Sequence, residues 1–294
     1  MLYSHFLLRL YNKPSLNSEP RSHGSRNIKL NMKSTQYKNL LEENKSGAEE
    51  FAVIEGLHAI KHALRFGATP QFILIENTEE LNSLIQKLCP DIKLKLESFQ
   101  DTIREVGSDF QKITNSKIRT GVVGLFRKPE FVPSPSGEGW GEERPTFSAV
   151  LIDKPKDLNN LGAIVRICAA AGIQTLITIG ELNIWNSRAI RAGAGLQFAL
   201  SCINLKESEI INLKAPLICF DERGQELNLS LKTEIQKMNK EESGIVYVFG
   251  SERDGISAEL KKSATKIVRL PMQDGVSSLN LATSVSAALY TLKI

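Results

Sequence analysis

Five runs of continuous apolar residues dominate residues 147–294: FSAVLID, TLITIG, APLICF, GIVYVFG and KIVRLP. None alternates apolar with polar residues, so each reads as a strand buried on both faces, the signature of a parallel sheet covered by helices. LGAIVRICAAAG supplies one such helix, stopped by Gly172, and SLNLATSVSAALYTLKI supplies the last. SRAIRAGAG reads as a short helical turn with a glycine-rich exit. The C-terminal half is therefore expected to be α/β, with ligands at the carboxyl ends of its strands.

A smaller α/β unit precedes it, over residues 46–127. GLHAIKHALRFG has Leu57, Ile60, Ala63 and Leu64 on one helical face and stops at Gly67. QFILIE and GVVGLF read as strands, LNSLIQKLC as a helix, IKLKLE as an alternating strand and FQDTIREVG as a further helix. Residues 128–146, KPEFVPSPSGEGWGEERPT, have the Pro, Gly, Ser and Glu content of a linker or insertion. Residues 1–45 read as a basic, disordered tail; its acid-poor opening is open to reading as an organellar transit peptide, but MKSTQYKNLLEENK favours Met32 as the expected start of translation.

Charge is informative only once located. Of the 37 basic residues seven lie in the first 40, against one of the 33 acidic residues, so the rest balances at 30 against 32. Bulk charge in the folded part thus gives no case for nucleic acid, and any such case must rest on sites or on local patches such as Lys61, Arg65, Arg188 and Arg191. No apolar run approaches 18 residues, so no membrane span is expected. The four cysteines show no CxxC pair and no metal spacing with histidine. A metal site is not expected, and a reducing, cytoplasmic compartment fits.

Three segments carry candidate chemistry. In residues 153–172, Arg166 stands alone on a helix apolar on nearly every side, so it is expected to be buried and to meet a carboxylate, a phosphate or a cleft. Gly162 lies one turn before it, and Asn160 sits where a helix cap would. In residues 245–257 a buried strand runs into Gly250 and Glu252, the natural carboxylate partner for Arg166, and then turns at Asp254-Gly255. In residues 268–290 a strand leads through Leu270-Pro271-Met272 and a Gly275 turn to Ser277-Ser278-Leu279-Asn280 at a helix start. There Ser277 or Ser278 is either an N-cap or a donor to a bound anion. Phosphate-loop, dinucleotide and nucleophile-elbow motifs are absent from the sequence.

Taken in order, these segments resemble the SpoU (TrmH-like) family of RNA ribose 2′-O-methyltransferases in the SPOUT superfamily. The family's first motif matches Asn160, Gly162, Ala163 and Arg166; its second, Gly250, Glu252 and Gly255; its third, Leu270, Pro271, Met272, Gly275, Ser278, Leu279 and Asn280. The opening FAVIEGLHAIKHALRFG is similar to the family's RNA-binding domain.

The resemblance implies methyl transfer from S-adenosylmethionine to a ribose 2′-hydroxyl, and a C-terminal parallel sheet threaded into a trefoil knot. Gly250, Leu270, Met272 and Leu279 would contact the cofactor. Arg166, Asn160, Glu252, Ser278 and Asn280 would form the catalytic set, with Glu252 orienting Arg166. No metal is implied, and a homodimer is. Ribosomal RNA is the favoured substrate over transfer RNA, and a catalytically inactive RNA-binding or ribosome-assembly protein is the rival from another class.

Overall fold

A four-stranded and a six-stranded sheet organise residues 32–129, 147–206, 215–241 and 244–293, which the computed structural model describes. The tail over residues 1–31 and the insertion over 130–146 lie outside the described residues. The described chain divides into an N-terminal unit, which also takes in Asn183–Ala199, and a C-terminal unit.

The N-terminal unit contains α1 (Ser34–Asn44), β1 (Phe51–Glu55), α2 (Leu57–Arg65), β2 (Pro70–Ile75), α3 (Thr78–Leu88), α4 (Lys93–Glu97), β3 (Ile103–Glu105), α5 (Phe110–Thr114) and β4 (Val122–Arg127). Its strand order is β1-β4-β2-β3, with β4 antiparallel to both neighbours and β3 parallel to β2. Helix α2 buries Leu57, Ala59, Ile60, Ala63 and Leu64, the face its periodicity requires.

Three expectations need correction here. The tail does not run to residue 45, because α1 buries Tyr37 and Leu41 against Phe72, Val53 and Phe110. IKLKLE is not a strand: Ile92 and Leu96, one helical turn apart, are 0% and 6% exposed, whereas Leu94 is 78% exposed, so helical spacing places its apolar residues better than alternation. FQDTIREVG is not one helix, since Ile103–Glu105 pairs with the edge of β2 and Val106 N–H continues that pairing to the Ile75 carbonyl. Tertiary strand pairing overrides the local pattern there.

Asn183–Ala199 carries α7 (Ser187–Ala192) and joins the N-terminal unit through specific contacts. Ser187 N–H donates to the Lys45 carbonyl at 2.9 Å, Arg191 pairs with Glu55 at 3.0 Å, and Phe198 packs edge-on to Phe126 with ring centroids 6.3 Å apart. At Gly195, where φ is +75°, a Cβ would fall 2.2 Å from the Ala59 carbonyl oxygen, so only glycine lets α2 lie this close. Arg188 and Arg191 therefore share a unit with Lys61 and Arg65 despite lying in the other half of the sequence.

The C-terminal unit contains β5 (Phe147–Asp153), α6 (Leu158–Ala171), β6 (Thr175–Ile179), β7 (Ser201–Leu205), β8 (Leu217–Glu226), α8 (Leu229–Glu241), β9 (Gly244–Phe249), α9 (Ala258–Lys262), β10 (Lys266–Arg269) and α10 (Leu281–Lys293). All six strands are parallel, in the order β10-β8-β9-β5-β6-β7. Their inner residues, among them Ala149, Leu151, Ile177, Cys219, Val246 and Val248, are at most 1% exposed. From β5 the chain steps outward to β6 and β7, then crosses to β8 and β9 on the other side. The order reverses between β5 and β9, whose ends Ile152 and Phe249 are register partners. Loops leaving these two strands open the crevice where such sheets bind ligands.

Candidate active site

Asp157, not Asn160, caps α6: its Oδ1 accepts from the backbone N–H groups of Asn159 and Asn160 at 2.7 and 2.8 Å. Asn160 therefore lies inside the first turn with its side chain free of capping. Its Nδ2 donates to Glu252 Oε1 at 2.7 Å, and its Oδ1 accepts from Asn280 Nδ2 at 3.1 Å. Glu252 Oε2 also accepts from the Lys156 N–H at 3.3 Å.

Glu252 sits on the loop that leaves β9. Ser251 and Gly255 exchange two backbone hydrogen bonds of 3.2 Å, closing a tight turn in which Gly255 has φ +66°. A Cβ on Gly250 would fall 2.0 Å from the Gly255 carbonyl carbon and 2.3 Å from Ile256 N. The glycine is thus demanded first by the return of its own loop. Buried Asp153 anchors the far end of this loop, accepting from Ser257 N–H at 2.7 Å.

The third segment ends in a cap as well, but the cap is Asn280 and not Ser277 or Ser278. Asn280 Oδ1 accepts from Ala282 N–H at 2.9 Å and from Thr283 N–H at 3.4 Å, which holds the first turn of α10. One asparagine thus starts a helix with its oxygen and orients Asn160 with its nitrogen.

A cavity of about 500 Å³ opens beside these loops. Gly250, Glu252, Leu270, Met272, Ser278 and Leu279 line it, whereas Asn160 and Asn280 lie outside its wall. Part of the remaining wall comes from Phe220–Arg223 of β8 and from Lys261 of α9, residues that sequence reasoning missed. Phe220 stacks on Phe249 with centroids 4.7 Å apart and planes 3° from parallel. Lys261 Nζ lies 2.6 Å from Asp221 Oδ2, and Arg223 N–H donates to Asp221 Oδ1 at 3.1 Å. Burial pushes the Asp221 carboxyl up, but the Lys261 ammonium and the Arg223 N–H outweigh it and hold the group below its ordinary value. The signal for this wall lay in KIVRLP pairing with β8, a long-range register that no local pattern encodes.

Arg166 requires the largest correction. It is exposed, and no hydrogen bond or ion pair holds its guanidinium among the described residues. The helix is not apolar all round in its setting, because Asn159, Arg166 and Ala170 form an outward stripe while Leu161, Ile164, Val165 and Cys168 face the core. Glu252 is engaged by Asn160 and Lys156 instead. Arg166 lies outside the cavity wall, six residues and about 9 Å of helix beyond Asn160.

The cysteines offer no nucleophile. None of the four forms a disulfide, and burial pushes the Cys219 thiol up to about 12 and raises Cys89, Cys168 and Cys202 as well. Among the described residues no group of three or more His, Cys, Asp or Glu could hold a metal ion. No helix there is long and apolar enough to cross a membrane.

Residues 148–290 match the model of the SpoU rRNA Methylase family. The chain is 26% identical over 285 residues to rRNA methyltransferase 3, mitochondrial, of Mus musculus, with 81% of this chain and 66% of that protein covered. It is 31% identical over 176 residues to the 23S rRNA (adenosine(1067)-2′-O)-methyltransferase of Streptomyces laurentii, with 58% and 60% covered. The chain thus spans about two thirds or less of the length of these two relatives. An AdoMet-bound rRNA methyltransferase from Sinorhizobium meliloti shares the fold, with a TM-score of 0.66 at 21% identity over 88% of this chain and 93% of that one.

Proposed function

Residues 148–290 belong to the SpoU rRNA methylase family, and we propose that the protein transfers a methyl group from S-adenosylmethionine to a ribose 2′-hydroxyl of ribosomal RNA. The observation that carries this reading is the Glu252–Asn160–Asn280 hydrogen-bonded chain beside the cavity lined by Gly250, Leu270 and Leu279. The cavity's size, and a lining that mixes Phe220, Phe249, Leu270 and Leu279 with charged side chains, support a cofactor of this kind. Gly250, Leu270, Met272 and Leu279 would hold the adenosine, and the chain would follow the family's trefoil-knotted path.

When bound, the sulfonium cofactor supplies an electrophilic methyl carbon. The protein must then hold the hydroxyl in line, accept its proton and stabilise oxygen as charge develops. Asn160, fixed at both ends of its amide, and Ser278 on the cavity wall would position the ribose. Arg166 would act as a cation on the neighbouring phosphate or the developing alkoxide, because a guanidinium is not a proton acceptor at neutral pH. Glu252 is a positioning residue for Asn160 in this reading.

The basic residues Lys61, Arg65, Arg188 and Arg191 of the N-terminal unit would neutralise phosphates of the substrate. A homodimer is part of the reading, with the outward stripe of α6 beside Arg166 open to a second copy. Thiols outside any disulfide, those of Cys89, Cys168 and Cys219 buried, favour a reducing compartment, which we assign as the cytoplasm. Transfer of labelled methyl from S-adenosylmethionine into fractionated RNA tests the whole reading. Label is expected at one ribose of ribosomal RNA; label confined to transfer RNA would replace the substrate, and no label in any RNA would overturn the activity.

A further inference from the structure

We propose that Asp221 is the residue that reads the ribose of the adenosyl cofactor, accepting hydrogen bonds from its hydroxyls; the proposal rests on the cofactor reading above. The starting point is an interruption in the sheet. Ile267 pairs with Cys219, but the next residue, Val268, pairs with Gln225, so Phe220–Gly224 leaves the β8–β10 ladder as a bulge. The bulge closes tightly, for a Cβ on Gly224 would fall 2.5 Å from the Val268 backbone. Irregularities of this kind re-aim side chains beside binding sites, and here they turn Phe220 and Asp221 into the cavity wall.

Among the carboxylates lining the cavity, Asp221 is the least exposed, with a side chain 11% exposed. Glu222 is 58% exposed, Glu252 is occupied by Asn160 and Lys156, and Asp254 is exposed on its turn. Each Asp221 oxygen holds one protein donor, Lys261 Nζ on Oδ2 and Arg223 N–H on Oδ1. A carboxylate has about four lone-pair sites, so one remains on each oxygen. Lys261 already balances the charge, which favours neutral hydroxyl donors over a second cation. Two acceptor oxygens beside the stacked Phe220–Phe249 pair suit a vicinal diol attached to a flat base, and acidic residues meet ribose hydroxyls in this way in other nucleotide sites.

Titration calorimetry of the full chain with S-adenosylhomocysteine and with its 2′,3′-dideoxy analogue tests this without any turnover. The wild type is expected to prefer the hydroxylated ligand by about tenfold or more, the scale of a hydrogen bond to a charged group. Asp221→Ala should bind both ligands equally, and Asp221→Asn, which keeps one acceptor oxygen, should show an intermediate preference. A wild type indifferent to the hydroxyls, or an undiminished preference in a folded Asp221 variant, would overturn the proposal while leaving the cofactor reading intact. A wild type that binds neither ligand would overturn both. Because the comparison of ligands on the wild type and on Asp221→Asn stands alone, failure of Asp221→Ala to fold does not block the test.

Discussion

Asn160 donates to Glu252 at 2.7 Å while accepting from Asn280 at 3.1 Å, so one amide joins three loops that are distant in sequence. Both ends of the amide are committed, which fixes its orientation without any contact to ligand. The same bond explains why Glu252 does not serve Arg166: its two oxygens already hold Asn160 Nδ2 and Lys156 N–H.

Replacing Asn160 by Asp should therefore do more than remove a donor. Two carboxylates at hydrogen-bond distance cannot both ionise easily, so the folded variant would carry a carboxyl with a raised pKa. The folded state then binds more protons than the unfolded state, and stability falls as pH rises above the ordinary carboxylate range near 4. We expect a deficit of about 1 kcal/mol at pH 7.5 that fades toward pH 4, with methyl transfer reduced by about 10²-fold at neutral pH. Thermal melts across that range check the first part, and a deficit independent of pH would contradict it.

Arg166 gives the opposite pattern. Exposed, and without a hydrogen bond or ion pair among the described residues, it contributes little to folding, so Arg166→Ala and Arg166→Lys should melt within about 0.5 kcal/mol of the wild type. Single-turnover methylation should nevertheless fall by about 10² to 10³-fold, since lysine lacks the planar fork that meets a phosphate with two donors. A lysine variant with wild-type turnover would remove the geometric role and leave only charge.

The sheet and the helices packed on it were legible because burial on both faces leaves continuous apolar runs, as in GIVYVFG, and because Gly172 and Gly67 punctuate α6 and α2. The site was legible as three clusters of residues, and Gly250, Leu270, Met272, Ser278 and Leu279 do line one cavity. What local sequence cannot carry is pairing across the chain. Arg166 on an apolar helix invites a buried partner, yet the exposure of one stripe depends on which face α10 covers. The Phe220–Gly224 bulge depends on a register with β10, and the return of Asn183–Ala199 to the N-terminal unit depends on Ala59 meeting a glycine.

Gly250 separates two demands that look alike in sequence. If its missing Cβ served only the cofactor, Gly250→Ala would fold normally and bind weakly. An alanine methyl would instead lie 2.0 Å from the Gly255 carbonyl carbon, which requires the loop to shift. We expect Gly250→Ala to lose about 1–3 kcal/mol of stability, in the range of overpacked sites, together with cofactor affinity. Unchanged melting with selective loss of S-adenosylhomocysteine binding would return the glycine to the ligand.

Asp221 and Lys261 supply a pH signature of their own. Burial alone would raise the Asp221 carboxyl, but Lys261 and Arg223 hold it below its ordinary value in the folded chain. A depressed carboxyl stabilises the fold above the unfolded pKa near 3.9, and that stabilisation is lost as pH falls through the lower folded value. Lys261→Met would leave the carboxylate buried without its cation, so burial would dominate and the sign would reverse, with stability declining as pH rises past about 4. The melting temperatures of wild type and Lys261→Met should thus lie far apart at pH 7 and converge near pH 3. Parallel curves over that interval would mean that the 2.6 Å pair carries no net linkage.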